Sequence, residues 1–97
     1  MIRHVVLFTW SAEATEEQKA AVAAELSELP GQIPQIRSYR FGPDAGINAG
    51  NYDFAVVADF DDEAGYVVYR DHPAHQAVIA DHIKPILGTR AAVQFAF

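Results

Sequence analysis

The sequence predicts an α+β fold in which a four-stranded antiparallel sheet carries helices on one face. Three observations lead to this prediction. Along the chain, the apolar pattern changes in the order strand, helix, two strands, helix pair and strand. The segments predicted as strands are apolar on both sides, so both faces of the sheet need cover. The 97 residues suffice for one core, and we expect residues 1–97 to form a single domain.

The first predicted strand runs from Ile2 to Trp10, a stretch rich in Val, Leu and Phe that is too short for a helix of ordinary length. Side chains alternate along a strand, so they divide between two faces. One face carries His4, Val6, Phe8 and Trp10, and the other carries Val5, Leu7 and Thr9. Both faces are largely apolar, which predicts that both are covered.

The first predicted helix begins after Thr15. Thr15 and Gln18 have the spacing of a capping box, in which each side chain accepts a hydrogen bond from the backbone amide of the other residue. Beyond the cap, one apolar stripe recurs with helical spacing and is expected to pack on the sheet. Its members are Val22, Leu26 and Leu29. We expect Pro30 and Gly31 to end this helix.

Two more strands are predicted, over Ile36–Phe41 and Tyr52–Phe60. The residues between them, 42–51, are rich in Gly, Asn and Pro, which is typical of a long connection. The later strand alternates like the first one. Its two faces carry Phe54, Val56, Ala58 and Phe60 on one side and Ala55 and Val57 on the other.

The remaining chain is predicted to form a helix pair and a last strand. The acidic residues 61–63 supply a cap and a first turn, and the helix is expected to stop at His72, because proline disfavours helical geometry in the residue before it. Pro73 suits the first position of a second helix, which is predicted to reach about His82. The last strand is predicted over Thr89–Phe97. This order of elements is that of the ferredoxin-like layout.

One face of this sheet would be uncovered in a single copy of the chain. It carries the apolar residues Val5, Leu7, Ala55 and Val57. Packing two such sheets together removes these side chains from water. We therefore expect a homodimer that forms through the apolar sheet face.

Composition and charge exclude several classes of function. Seven Lys and Arg against 13 Asp and Glu give a net charge of −6, and the basic residues are scattered, so we expect no nucleic-acid partner. No apolar run approaches the roughly 20 residues that cross a bilayer, so we expect no membrane partner. The absence of cysteine removes thiolate nucleophiles and cysteine zinc sites. The chain opens on a strand-like run instead of a signal-peptide pattern, which predicts a cytoplasmic protein.

The densest polar cluster lies at the predicted bend between the paired helices. Tyr69 closes the first helix and His75 lies in the first turn of the second, so a bend at His72 can bring a phenol and an imidazole toward one cavity. An imidazole can take a proton from an acidic carbon, and a phenol can hydrogen-bond the carbonyl oxygen on which charge develops. Neither role needs a cofactor, and no nucleotide-binding motif occurs.

These residues also have structural interpretations. His72 can serve only as a helix cap, and His75 can simply hydrogen-bond a nearby carbonyl, which is the commoner outcome for two histidines three residues apart. No third distant ligand accompanies them, so no metal site is predicted. Tyr39 and Tyr66 are expected to pack rather than to react. His4 is open between two interpretations, a satisfied core residue or a residue that lines the same pocket as Tyr69 and His75.

Three segments of the chain together resemble one family. They are the start Ile2-Arg3-His4-Val5-Val6-Leu7-Phe8, the pairs Leu29-Pro30 and Ile33-Pro34, and Tyr69-Arg70-Asp71-His72-Pro73-Ala74-His75. In combination they are similar to the stress-responsive α/β-barrel (Dabb) family, over nearly the whole chain. The resemblance implies a ferredoxin-like subunit and a dimer whose two sheets enclose a barrel.

The family includes polyketide cyclases of the olivetolic acid cyclase type, which close a linear polyketide by aldol condensation. By this resemblance, His75 is implied as the general base and Tyr69 as the group that orients or polarises the carbonyl. The implied ligand is small, hydrophobic and carbonyl-bearing, and no cofactor is implied. The residues implied to line its pocket are His4, Val6, Phe8, Val22, Leu26, Val56, His72, Val78 and Ile86.

Two further functions are consistent with the sequence. The first is a non-enzymatic stress or assembly protein, in which the polar residues only brace the helix bend. The second is cofactor-independent oxygen chemistry, because dimeric α/β-barrel monooxygenases share the predicted architecture.

Overall fold

Seven regular elements follow one another in the order that the sequence predicts. The computed structural model describes all residues from Met1 to Phe97. The elements are β1 (Ile2–Trp10), α1 (Glu16–Gln32), β2 (Ser38–Pro43), β3 (Phe54–Phe60), α2 (Glu63–Asp71), α3 (Pro73–Val78) and β4 (Leu87–Ala96). Helix α3 continues through a π turn at Ile79–Ile83 and a 3₁₀ turn at Lys84–Ile86. Because α2 ends at Asp71 and α3 begins at Pro73, the predicted break before Pro73 is confirmed.

The four strands form one antiparallel sheet in the order β2-β3-β1-β4. This order is the ferredoxin-like arrangement, so the predicted fold class is confirmed. Strand β1 is central, and its residue His4 lies opposite Ala58 of β3 and Gln94 of β4. The register therefore brings residues from the two ends of the chain side by side.

The core lies between one sheet face and the helices. The sheet contributes alternate residues of β1 and β3, and the helices contribute the predicted stripe of α1 together with Tyr69 of α2. Among the most fully buried members are Val22, Leu29, Ile33, Val56, Phe60 and Tyr69. Burying large apolar side chains in this way stabilises the fold by about 1.5–3 kcal/mol for each one.

Helix α1 differs from the prediction at its end. The capping box forms as expected, since the Gln18 amide donates to Thr15 Oγ1 at 3.2 Å and the Thr15 amide donates to Gln18 Oε1 at 2.9 Å. Pro30 was expected to stop the helix, but the helix continues to Gln32. In the last turn a proline removes only one backbone donor. The next turn is held because the Ile33 amide donates to the Leu29 carbonyl at 2.9 Å and both side chains are buried.

The starting residues of the three later strands also differ from the prediction. Strand β2 begins at Ser38 instead of Ile36, because the longer helix leaves Ile36 in a turn where its amide donates to the Ile33 carbonyl at 3.1 Å. Strand β3 begins at Phe54 instead of Tyr52. Strand β4 begins earlier than predicted, at Leu87, because Leu87 pairs with Trp10 across an irregularity in the β1–β4 ladder.

The second sheet face carries no helix. It contains the predicted apolar residues in direct cross-strand register, with Val5 opposite Val57 and Leu7 opposite Ala55. Strand β4 adds Ala91, Val93 and Phe95 to the same face. Val93 and Phe95 are 55% and 45% exposed, so a continuous apolar surface faces solvent in the single chain. We call this surface the open sheet face.

Candidate functional site

A cavity of about 340 Å³ lies between the covered sheet face and the helices. Seven of the eleven residues that the sequence suggested for the site line it. They are His4, Val6, Phe8, Leu26, Val56, Tyr69 and His75. A volume of this size lies within the range of small-molecule sites, and most of the lining is apolar. A wider groove of about 530 Å³ borders the open sheet face near Leu7 and Tyr52, but it contains no histidine.

The other four suggested residues lie elsewhere. Val22, Val78 and Ile86 are buried in the core and are absent from the cavity wall. Leu26 is the one residue of the α1 stripe that reaches the cavity. His72 caps helix α3, where its Nδ1 accepts a hydrogen bond from the Ala74 amide at 3.0 Å. The structure thus places these four residues in packing and capping positions outside this cavity.

His75 is held in one tautomer by the bend between α2 and α3. Its Nδ1 lies 3.1 Å from the Arg70 carbonyl oxygen, which can only accept, so Nδ1 carries the hydrogen. Gln76 Nε2 donates to the same oxygen at 2.6 Å. No buried side-chain nitrogen or oxygen lacks a partner, and His75 Nε2 has no partner in the protein, so this nitrogen is accessible. Its lone pair is the one that a ligand in the cavity can meet.

The protonation state of His75 suits a base. Burial lowers the pKa of His75 below its ordinary value, and the backbone carbonyls of Arg70 and Tyr69 oppose this shift. The ring is therefore neutral near pH 7. A neutral imidazole with a fixed Nδ1–H and a free Nε2 is the form that accepts a proton.

Tyr69 lies against His75, with the two ring centroids 4.1 Å apart. The Tyr69 hydroxyl is 2.8 Å from the Tyr39 hydroxyl. Burial raises the pKa of Tyr69 well above its usual range, and it raises the pKa of Tyr39 to about 12, so both phenols keep their hydrogens at neutral pH. In such a pair one hydroxyl donates to the other, and the accepting hydroxyl can donate its own hydrogen to a further acceptor. Tyr39, expected only to pack, is thus the hydrogen-bond partner of a residue that lines the cavity.

His4 is both a core residue and a cavity residue. It is only 4% exposed, yet its ring lines the cavity and lies 5.0 Å from the ring of Tyr66. Gln94 Nε2 donates to His4 Nδ1 at 2.8 Å, so the hydrogen of His4 is on Nε2. Burial lowers the pKa of His4 to about 4, and the charge of Arg90 adds to this effect. His4 therefore fits both interpretations that the sequence left open, and the register with β4 supplies its hydrogen-bond partner.

The opening strand and the paired helices that form the site lie within one region that matches a known family model. Residues 2–97 match the family model described as the stress responsive A/B barrel domain, Dabb. The chain belongs to the Dabb family. The match covers the whole fold, including β1, the α2–α3 bend and β4.

Several relatives of this Dabb chain have been described. A dimeric ferredoxin-like protein of unknown function from Thermobifida fusca is 52% identical, with a TM-score of 0.92 over 99% of this chain and 90% of that one. An uncharacterized protein of Streptomyces coelicolor is 33% identical over 82% of this chain and 84% of its own length. A hydroxynitrile lyase from Passiflora edulis is 17% identical, with a TM-score of 0.83 over 97% of this chain and 90% of that one, and this likeness concerns the fold.

The Dabb cavity also contains residues that the sequence did not single out for it. Examples are Arg70, Gln76, Ile79, Lys84, Leu87 and Arg90, together with Tyr66, which was expected only to pack. The π turn supplies Ile79, the 3₁₀ turn supplies Lys84, and β4 supplies Leu87 and Arg90, and the periodicity of the sequence carries no signal for a π turn. No group of three or more His, Asp or Glu residues is arranged to hold a metal ion. None of the helices has the length and apolar character of a membrane span.

Acidification is expected to destabilise this Dabb domain through His4. The folded-state pKa of about 4 lies below the ordinary value of 6.5, so between these values the unfolded chain binds a proton that the folded chain excludes. Stability is therefore highest above the unfolded value and falls as the pH drops toward 4, by about 2 kcal/mol at pH 5. Urea unfolding at pH 7 and pH 5 measures the change.

A matched pair of variants isolates the contribution of His4. His4→Gln removes the titrating ring and is expected to flatten the pH dependence by this amount. His82→Gln makes the same substitution at a partly exposed ring outside the cavity and serves as the matched control. An unchanged pH dependence in His4→Gln would contradict the assignment.

Proposed function

We propose that this Dabb protein is a homodimer whose cavity binds a small hydrophobic carbonyl compound and that His75 removes a proton from that compound. The observation that carries the proposal is the state of His75. Its Nδ1–H is fixed on the Arg70 carbonyl, burial keeps the ring neutral, and Nε2 is left free beside an apolar cavity. This combination gives a base without a metal ion or a cofactor.

The proposed reaction moves protons only between the ligand and the side chains of the cavity. His75 Nε2 takes a proton from the carbon next to the carbonyl group, which leaves an enolate and an imidazolium. The Tyr69 hydroxyl, accepting from Tyr39, donates its own hydrogen to the carbonyl oxygen where the charge develops. Attack of the enolate carbon on a second carbonyl forms a carbon–carbon bond, and the imidazolium returns the proton to the new alkoxide. This sequence is an aldol cyclisation of the polyketide-cyclase type.

The dimer is proposed because the open sheet face needs cover. The face joins apolar residues of three strands, and its rim holds an ion pair between Arg3 and Asp59 at 2.7 Å. Two copies related by a twofold axis present the same surface to one another. The Thermobifida fusca relative, described as dimeric, supports this arrangement.

A second candidate function rests on the same hydrogen bonds. His75 and Gln76 both donate to the Arg70 carbonyl, so the two side chains tie the start of α3 to the end of α2. A protein without enzymatic activity would use His75 only for this tie. The two functions differ in what they require of His75 Nε2.

Proton exchange tests the proposed base without knowledge of the natural substrate. The protein is incubated in D₂O with acetophenone, medium-chain methyl ketones and benzoylpropionate, and the loss of the proton signal beside the carbonyl is followed by NMR. We expect the wild-type protein to accelerate exchange for at least one of these ketones relative to the His75→Asn variant. Equal rates for the two proteins across the panel would overturn the proposed function.

A further inference from the structure

The charge around the cavity is opposite to the charge of the whole chain. The chain has a net charge of −6, yet no Asp or Glu lines the cavity. Three of the seven Lys and Arg residues of the chain line the cavity, namely Arg70, Lys84 and Arg90. All three are exposed residues, so their charged groups lie where the cavity opens to solvent.

Two of these cations have no carboxylate partner. Arg70 Nε lies 2.9 Å from Asp71 Oδ1, so its charge is already balanced. Neither Lys84 nor Arg90 has a carboxylate within 4.0 Å. The chain has almost twice as many acidic as basic residues. Two cations without a carboxylate partner on the wall of one cavity are therefore unexpected from its composition.

The other four basic residues of the chain lie outside the cavity. Three of them are paired with acids in the contacts Arg3–Asp59, Lys19–Glu16 and Arg37–Asp61. Arg40 is unpaired and lies opposite Val57, so it belongs to the open sheet face. Two of the three unpaired cations of the chain therefore gather at the one cavity that contains both His4 and His75.

We infer that the carbonyl ligand of this cavity is an anion whose carboxylate binds Arg90 and Lys84 at the opening, while its apolar part lies against Phe8 and Leu26. The inference rests on the proposed function and names the substrate class of the same site, a hydrophobic keto acid. A guanidinium matches a carboxylate with two parallel hydrogen bonds, and an ammonium adds a point charge. The charge of Arg90 already acts on both imidazoles, since it contributes to the lowered pKa of His4 and of His75.

A matched pair of probes separates the charge from the rest of the ligand. Benzoylpropionate has an apolar ring, a ketone and a carboxylate, and its methyl ester differs by the loss of the charge. Calorimetric titration of the wild-type protein is expected to show binding of the acid about tenfold tighter than binding of the ester. The advantage of the acid is expected to shrink as the NaCl concentration is raised.

Variants of the exposed cations test the assignment directly. Arg90→Gln and Lys84→Gln are each expected to weaken binding of the acid about tenfold and to leave binding of the ester unchanged. Arg90→Lys keeps the charge but not the paired hydrogen bonds, so it is expected to lose less affinity for the acid than Arg90→Gln. Lys19→Gln removes the same charge from α1, outside the cavity, and is expected to bind both probes like the wild type.

The outcomes distinguish this inference from the proposed function. Equal binding of acid and ester, or an Arg90→Gln, Lys84→Gln double variant with wild-type preference for the acid, overturns the anionic ligand while leaving His75 as the proposed base. Failure of both probes to bind overturns the ligand-binding cavity and the inference together. Loss of proton exchange in His75→Asn with retained binding of the acid supports both.

Discussion

Replacing His75 by Asn is expected to reduce proton exchange in a bound ketone by about 10²–10⁴-fold, the usual contribution of a positioned general base. The side-chain amide nitrogen of Asn can take the place of Nδ1 and donate to the Arg70 carbonyl, so the tie between α2 and α3 is retained. The variant has no counterpart of the Nε2 lone pair. Exchange rates measured by NMR and melting temperatures measured by circular dichroism together give the result.

A second substitution at the same position separates the base from the brace. His75→Ala removes both the Nε2 lone pair and the hydrogen bond, and the loss of that bond is expected to cost about 1 kcal/mol of folding free energy. If His75 is only a brace, His75→Asn keeps wild-type behaviour in every assay and His75→Ala loses stability alone. A fully active His75→Asn protein would remove the base from the proposed function.

Replacing Val5 by Glu is expected to convert the proposed homodimer into monomers. Val5 lies at the middle of the open sheet face, flanked by Val57 on β3 and Val93 on β4, so two copies would bring two buried glutamates close together. Burying an unpaired charge costs several kcal/mol, and the twofold axis imposes this cost on both copies. Sedimentation equilibrium is expected to give twice the 10.6 kDa chain mass for the wild type and the single mass for the variant.

The matched control for this variant lies on a helix. Val68 is 42% exposed on α2, and Val68→Glu makes the same chemical change away from the sheet. This protein is expected to remain dimeric. A wild-type chain that sediments as a monomer, or a Val5→Glu chain that stays dimeric, would show that the open sheet face is not the interface.

The predictions for the fold are most accurate where the signals are local. The capping box of Thr15 and Gln18 and the break before Pro73 depend on residues within one turn of each other, and both are confirmed. The end of α1 depends on more distant partners. Pro30 is a breaker by its own chemistry, but Leu29 and Ile33 are buried against the rest of the core, and this burial carries the helix past the proline.

The predictions for the site divide in a similar way. The alternation of β1 places His4, Val6 and Phe8 on one face, and all three line the cavity. The stripe of α1 is confirmed as a core stripe, but its rotation against the sheet leaves Leu26 alone at the cavity. Lys84 reaches the site through the 3₁₀ turn that follows the π turn, for which the sequence pattern has no signature, and Arg90 reaches it because the register of β4 sets it opposite Phe8.

The amino-acid sequence by itself determined the element order, the two apolar faces of each central strand and the family, because these follow from periodicity, capping and motif over short stretches of chain. Only the tertiary structure decided which residues meet. The Tyr39–Tyr69 hydrogen bond joins residues 30 positions apart, and the His4–Gln94 bond joins residues 90 positions apart. Such contacts depend on sheet register and helix rotation, which are set by the packing of the whole core and by no local pattern.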